Sequence, residues 1–217
     1  MKWRNLLVGC SLVPTLALGV GTCPSGIGAT EGQKPLRVIR IGPGPALLIC
    51  GWSNLHAKKQ KIYSEFELID EASRNPVVRF GASDQVTIRE NGSSVSLTEH
   101  HSYPVGKNWA YVPLPFRRYT ITSAKSGGFR KESKLIFIPP KFSAAQLDWI
   151  KSKYERAKEK GNVQDGLPSL IVLAALGGHS KFESLLPTAV SDLRLDGALG
   201  EEFTAAMSDY AEIRNRN

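Results

Sequence analysis

Beyond its first two dozen residues the chain has no apolar run long enough to cross a membrane. The longest, Leu167 to Leu176, is about half of the roughly 20 residues that a spanning helix needs. It has no H-E-x-x-H, no P-loop and no dinucleotide-type glycine pattern. Gly42-Pro43-Gly44 is not followed by Lys-Ser or Lys-Thr, so it reads as a turn rather than a phosphate cradle. No internal repeat of useful length occurs. Cysteine is scarce: Cys10, Cys23 and Cys50 are the only three among 217 residues. These absences leave no complete catalytic set and no cofactor or metal requirement, which weighs towards a binding role over an enzyme.

What the amino terminus does have is an export pattern. Lys2 and Arg4 form a positive start, and Leu6 to Val20 is then almost wholly apolar or small and uncharged. Residues 1–22 are expected to be a signal peptide, cleaved between 19 and 29, and the protein to be periplasmic or secreted. Cys10 would be lost with it. Val20-Gly21-Thr22-Cys23 resembles the lipobox of bacterial lipoproteins, departing from it at Thr22. The resemblance implies a lipid on Cys23 and anchoring to a membrane. The alternative is a disulfide between Cys23 and Cys50, as two cysteines in an oxidising compartment would form. The two fates exclude each other.

Hydrophobic residues make up 41% and charged residues 22%, which fits a globular chain. The net charge of +8 is uneven. Lys34 to Lys141 holds 17 basic and 8 acidic residues, whereas Ser143 to Asn217 holds 9 and 11. A basic first part points to an anionic partner, namely an acidic protein, an anionic glycan or a lipid surface. The export signal argues against nucleic acid.

Residues 23–35 are small and polar and read as a linker. From 36 to 141 the grammar is that of strands. Leu36 to Ile41 alternates, and Ala46 to Trp52 is continuously apolar, as in a strand buried on both faces. Ile62 to Ile69 and Pro76 to Phe80 follow. Gln85 to Glu99 reads as a hairpin turning at Asn91-Gly92, with Val86 and Ile88 answering Val95 and Leu97. Trp109 to Val112, Tyr119 to Thr122 and Leu135 to Ile138 complete the series. Short strands at close spacing predict an antiparallel β-sandwich, immunoglobulin-like or similar, over 36–141. After Pro139-Pro140 the period changes. Ser143 is a good N-cap for a helix from Ala144 to Lys160 stopped by Gly161. Pro168 opens an apolar helix that must be covered. Ser180 to Leu186 and a last amphipathic helix through Leu199, Phe203, Met207, Tyr210 and Ile213 follow. The expected class is therefore α+β: a signal peptide, a sandwich, and a helical region at 143–217.

Few residues suggest chemistry. Glu99, His100 and His101 are the most suggestive cluster, but neighbours on a strand point to opposite faces. Only Glu99 and His101 share a side, which is too few ligands for a metal. Gly51-Trp52-Ser53 resembles the first half of the nucleophile elbow of α/β-hydrolases, but Leu55 stands where its second glycine should be. Candidate partner-binding residues are Lys58, Lys59 and Lys61 in one basic loop, and Trp109 with Arg117 and Arg118 in an aromatic and basic segment. The expectation is an exported, non-enzymatic binding protein of the envelope or medium. The alternatives are an envelope hydrolase using a His/Glu site at 99–101, and a structural subunit docking through its apolar helix.

Overall fold

A computed structural model describes residues 21–26, 28–42, 44–53, 62–81 and 85–215. Residues 1–20 of the expected signal peptide, and Lys58, Lys59 and Lys61 of the basic loop, lie outside the described residues. The described part is α+β, with an eight-stranded antiparallel sheet and five helices.

The strands are β1 (Arg37–Arg40), β2 (Ala46–Ser53), β3 (Ile62–Asp70), β4 (Pro76–Phe80), β5 (Gln85–Glu90), β6 (Ser94–Tyr103), β7 (Val112–Ser123) and β8 (Phe129–Leu135). Their ladder runs without a break in the order β1-β2-β3-β5-β6-β7-β8, and β4 pairs with β3 beside that path. Ile39, Leu47 and Ile49 from one end of the ladder and Val95, Leu97 and Ile121 from the other belong to one buried cluster. Among the described residues no helix contributes to that cluster, and the twisted sheet curls so that residues from both ends of the ladder meet in it. Two contacts mark the curl. Arg37 of β1 is ion-paired with Glu90 of β5, and a Cβ placed on Gly44 would lie 3.5 Å from Ser123 Oγ at the end of β7.

The apolar run of β2 is buried on both faces. Leu47 and Ile49 face the inner core, while Leu48 and Cys50 lie under the arm that carries Cys23 and Ala29. The sulfurs of Cys23 and Cys50 are joined in a disulfide across 27 positions. Residues 23–35, expected as a linker, are in part a packed arm: Cys23 is fully buried, and its N–H donates to Gln33 O at 2.8 Å.

Three details differ from expectation. The hairpin of β5 and β6 turns one residue later than read, since Glu90 pairs with Val95 and the tip is Gly92-Ser93. Only Gly92 has positive φ there (+68°), which is the glycine-first form of a two-residue turn. Trp109 is not in a strand. It ends a 3-10 turn, Lys107–Trp109, with φ at +61°. The last strand is Phe129–Leu135, FRKESKL, rather than Leu135 to Ile138. It is an edge strand and carries charges as edges do.

The helices are α1 (Ala144–Lys160), α2 (Leu167–Leu176), α3 (Ser180–Glu183), α4 (Ala189–Leu193) and α5 (Gly197–Arg214). Ser143 caps α1 in a capping box with Gln146, and Gly161 ends it in the left-handed region. Every residue of α2 from Leu167 to Ala175 is buried, among Ile150 and Tyr154 of α1, Phe182 of α3 and Phe203 of α5. A second cluster joins the two halves of the molecule: Tyr103 and Phe116 of the sheet, Phe137 after it, Leu173 of α2 and Ile213 of α5.

Candidate functional site

A register shift in the ladder builds the junction between sheet and helices. Glu99 of β6 stands opposite Arg117 of β7, but His100 stands opposite Pro115, so Phe116 is an extra residue with no register partner. Such a bulge re-aims side chains. Phe116 and Arg117, although adjacent, both reach the face that Glu99, His101 and Tyr103 share. The Phe116 ring stacks on His101 with centroids 3.9 Å apart and an interplanar angle of 10°.

His101 is held by two carboxylates. Its Nε2–H donates to Glu99 Oε1 at 3.0 Å and its Nδ1–H to Asp209 Oδ2 of α5 at 2.9 Å. Tyr103 donates its hydroxyl to the same Asp209 oxygen at 2.5 Å, and Tyr119 donates to Glu99 Oε2 at 3.0 Å. Arg117 reaches Tyr119 Oη at 3.3 Å and is ion-paired with Glu212, one turn beyond Asp209. Burial alone would lower the pKa of His101. The bonds and charges of Asp209 and Glu99 outweigh it and raise the pKa to about 9. Burial likewise works to raise the Glu99 pKa, but the bonds from His101 and Tyr119 and the charges of His101 and Arg117 hold it below its ordinary value. Burial and then Asp209 push the Tyr103 hydroxyl well upward, so it stays protonated as a donor.

This arrangement fixes what His101 does chemically. With both ring N–H groups donating, the imidazolium keeps no lone pair for a base, a nucleophile or a metal ligand. Among the described residues no three His, Cys, Asp or Glu side chains are placed to hold a metal ion. The cluster ties α5 to the sheet. A third acid on α5, Glu202, accepts from Gly166 N at 3.3 Å and Ser169 N at 3.2 Å at the start of α2.

Compared with family models, curated proteins and solved structures, the chain matches none. Its site must be read from its own geometry.

The expected site residues fall in different places. His100, next to His101, points to the opposite side, where its Nδ1 donates to Gln85 O at 3.3 Å. Trp109 stacks on Trp149 of α1 with centroids 4.5 Å apart, at the junction of sheet and helices. The sheet splits the Arg117-Arg118 pair: Arg117 turns inward to Glu212, and Arg118 stands exposed on the outer face. Phe116 and Tyr119 belong to the aromatic and basic segment that the sequence marks out, whereas nothing in the sequence singles out Asp209, Glu212 or Tyr103. The available signal was on α5, where Glu202, Asp209 and Glu212 are seven and three apart, at positions that line up with Ala206 and Ile213 on the covered side of the helix.

The outer face of β5 to β8 is the other polar surface. Alternation puts Val86, Ile88, Val95 and Leu97 inside and Thr87, Arg89, Ser96, Thr98 and His100 outside. One row across four strands reads Thr87, Thr98, Arg118, Lys134, and the next reads Arg89, Ser96, Thr120, Glu132. The side chains of Arg89, Arg118 and Lys134 have no partner among the described residues. Glu132, the acid of these rows, is ion-paired with Arg130 at 2.9 Å.

Proposed function

We propose that this chain is an exported, non-enzymatic protein of the cell envelope or extracellular medium that binds an acidic partner through its basic β part. The observation that carries this reading is the outer face of β5 to β8, where Arg89, Arg118 and Lys134 are exposed, with no partner among the described residues, beside Ser and Thr hydroxyls. Cations left without internal partners are available to an external anion. The sheet is read as a sandwich-like scaffold whose curled halves bury the inner residues and present the outer ones.

Export rests on the amino-terminal pattern, and the Cys23–Cys50 disulfide is compatible with it, since such bonds persist in oxidising compartments. Lys58, Lys59 and Lys61 belong to the same reading by sequence alone. Trp109 and Arg117 do not, because their side chains are committed to the junction with the helices.

The test is capture of partners from the native envelope or medium by the mature protein and by an Arg118→Glu/Lys134→Glu variant. The reading expects capture by the parent, loss as salt rises, and loss in the variant. Capture unchanged by the substitutions and by salt overturns it.

A further inference from the structure

On the outer face, four hydroxyls stand among three cations, with Glu132, ion-paired to Arg130, at the edge of the patch. Thr98 stands directly opposite Thr87 on one side and Arg118 on the other. Ser96 and Thr120 pair in the next row. Around them stand Arg89 along β5, His100 along β6, Arg118 on β7 and Lys134 on β8. Neighbouring strands are about 4.8 Å apart and every second residue of a strand about 6.8 Å along. Each hydroxyl is therefore one step from a cation, and Arg89 and Arg118 stand about 12 Å apart on the diagonal of the patch. Thr87, Arg89 and His100 also line a shallow groove of about 620 Å³ that runs past Arg37, Glu90 and Asn91.

Resting on the reading above, we infer that this face binds an anionic polysaccharide, with its charged groups on Arg89, Arg118 and Lys134 and its hydroxyls on Thr87, Ser96, Thr98 and Thr120. Three features select this class over the other acidic partners. The face carries no exposed apolar or aromatic side chain in these rows, whereas protein interfaces gather their affinity on such anchors. Side chains of Ser and Thr both donate and accept, which suits a ligand rich in hydroxyls. The cations are spread over several strands, as a chain with repeating charge requires, rather than gathered on one point. Guanidinium groups bind sulfate, phosphate and carboxylate oxygens in paired hydrogen bonds.

The experiment uses the purified mature protein with four probes: dextran sulfate, uncharged dextran, poly-L-glutamate and vesicles of phosphatidylglycerol. Titration calorimetry is expected to show dextran sulfate binding at least tenfold more tightly than poly-L-glutamate at equal charge, with no binding of uncharged dextran or vesicles. Arg89→Gln/Arg118→Gln is expected to weaken dextran sulfate at least tenfold. Thr87→Val/Thr98→Val, which leaves every charge in place, is expected to weaken it at least threefold. Lys125→Gln, in the turn before β8, serves as a charge control and is expected to change it less than twofold. All variants should keep the parent's unfolding midpoint. Equal binding of poly-L-glutamate that still depends on Arg118 overturns the polysaccharide assignment while leaving an acidic-protein partner in place. Preferential binding of vesicles overturns it in favour of a lipid surface. Binding of dextran sulfate that is unaffected by both double variants overturns the assignment of this face, and with it the observation on which the broader reading rests.

Discussion

Asp209 and His101 lie 108 positions apart in sequence and 2.9 Å apart in space, the carboxylate of the last helix accepting from Nδ1–H of a strand histidine. Glu99 takes the other ring nitrogen. Each charge is drawn from water, and each has a partner, so the group costs little as built and a great deal when one member is removed.

His101→Ala tests this directly. The change takes from Glu99 and Asp209 the cation they share, and it strips a stacked ring from Phe116. The expected loss is about 3–5 kcal/mol in urea unfolding. Asp209→Asn keeps the shape and an acceptor but loses the charge, for an expected loss of about 1–2 kcal/mol. The double variant should lose less than the sum, because the two side chains act on each other. A parent-like midpoint for His101→Ala would remove the cluster as a source of stability.

The same pair makes stability depend on pH. The folded pKa of His101, raised to about 9, lies above its ordinary value of 6.5. Its contribution is therefore complete below pH 6.5 and lost as pH rises through about 9, at most about 3 kcal/mol in all. Glu99, whose pKa is lowered from 4.5, works on the other side: its contribution is present above that value and lost as acid protonates it in the fold. Unfolding midpoints measured across pH should show a plateau with an alkaline decline, and His101→Gln should flatten that decline. An alkaline limb of the same depth in His101→Gln would assign it to other groups.

Periodicity made much of this fold legible. The strand run of Ala46 to Trp52, the cap at Ser143 and the stop at Gly161 all stand where local rules place them. The failures have local causes too. β8 is charged and exposed, so it lacks the apolar signal by which strands are read. Trp109 is aromatic and two positions before Tyr111, the spacing of a strand pair on one face, until the φ of +61° breaks it. The site was harder. That Glu99 and His101 share a side follows from alternation, but their partners depend on a one-residue bulge at Phe116 and on which face of α5 meets the sheet. Neither is encoded in spacing alone.

The disulfide should matter to the whole fold. It closes a loop of 27 positions and holds the arm that covers Leu48 and Ile69. By loop entropy it contributes about 3.5 kcal/mol. Reduction with dithiothreitol, or Cys23→Ser with Cys50→Ser, is expected to lower the urea midpoint by a corresponding amount. Mass spectrometry of the native mature protein checks the bond itself. A mass two hydrogen atoms below the reduced form, with no acyl addition, is the expected result, and a lipid-sized increase on Cys23 would contradict it.

Arg117 and Arg118 give the sharpest contrast, because they are adjacent and of one type. Arg117 stacks near the rings of Phe116 and Tyr119, reaches Tyr119 Oη and is paired with Glu212. Only 23% of its side chain is exposed. Arg117→Gln removes a cation that faces both Glu99 and Glu212 and is expected to lower stability by about 2 kcal/mol. Arg118→Gln removes an exposed side chain with no partner among the described residues and is expected to change stability by less than about 0.5 kcal/mol. In binding the order reverses. Arg118→Gln should weaken the captured anion, while Arg117→Gln, once the protein is folded, should leave it unchanged. The same two variants, measured by unfolding and by titration, therefore separate the inner face that holds the molecule together from the outer face that meets the ligand. If both arginines affected both measurements alike, the split of the pair by the sheet would carry no functional meaning.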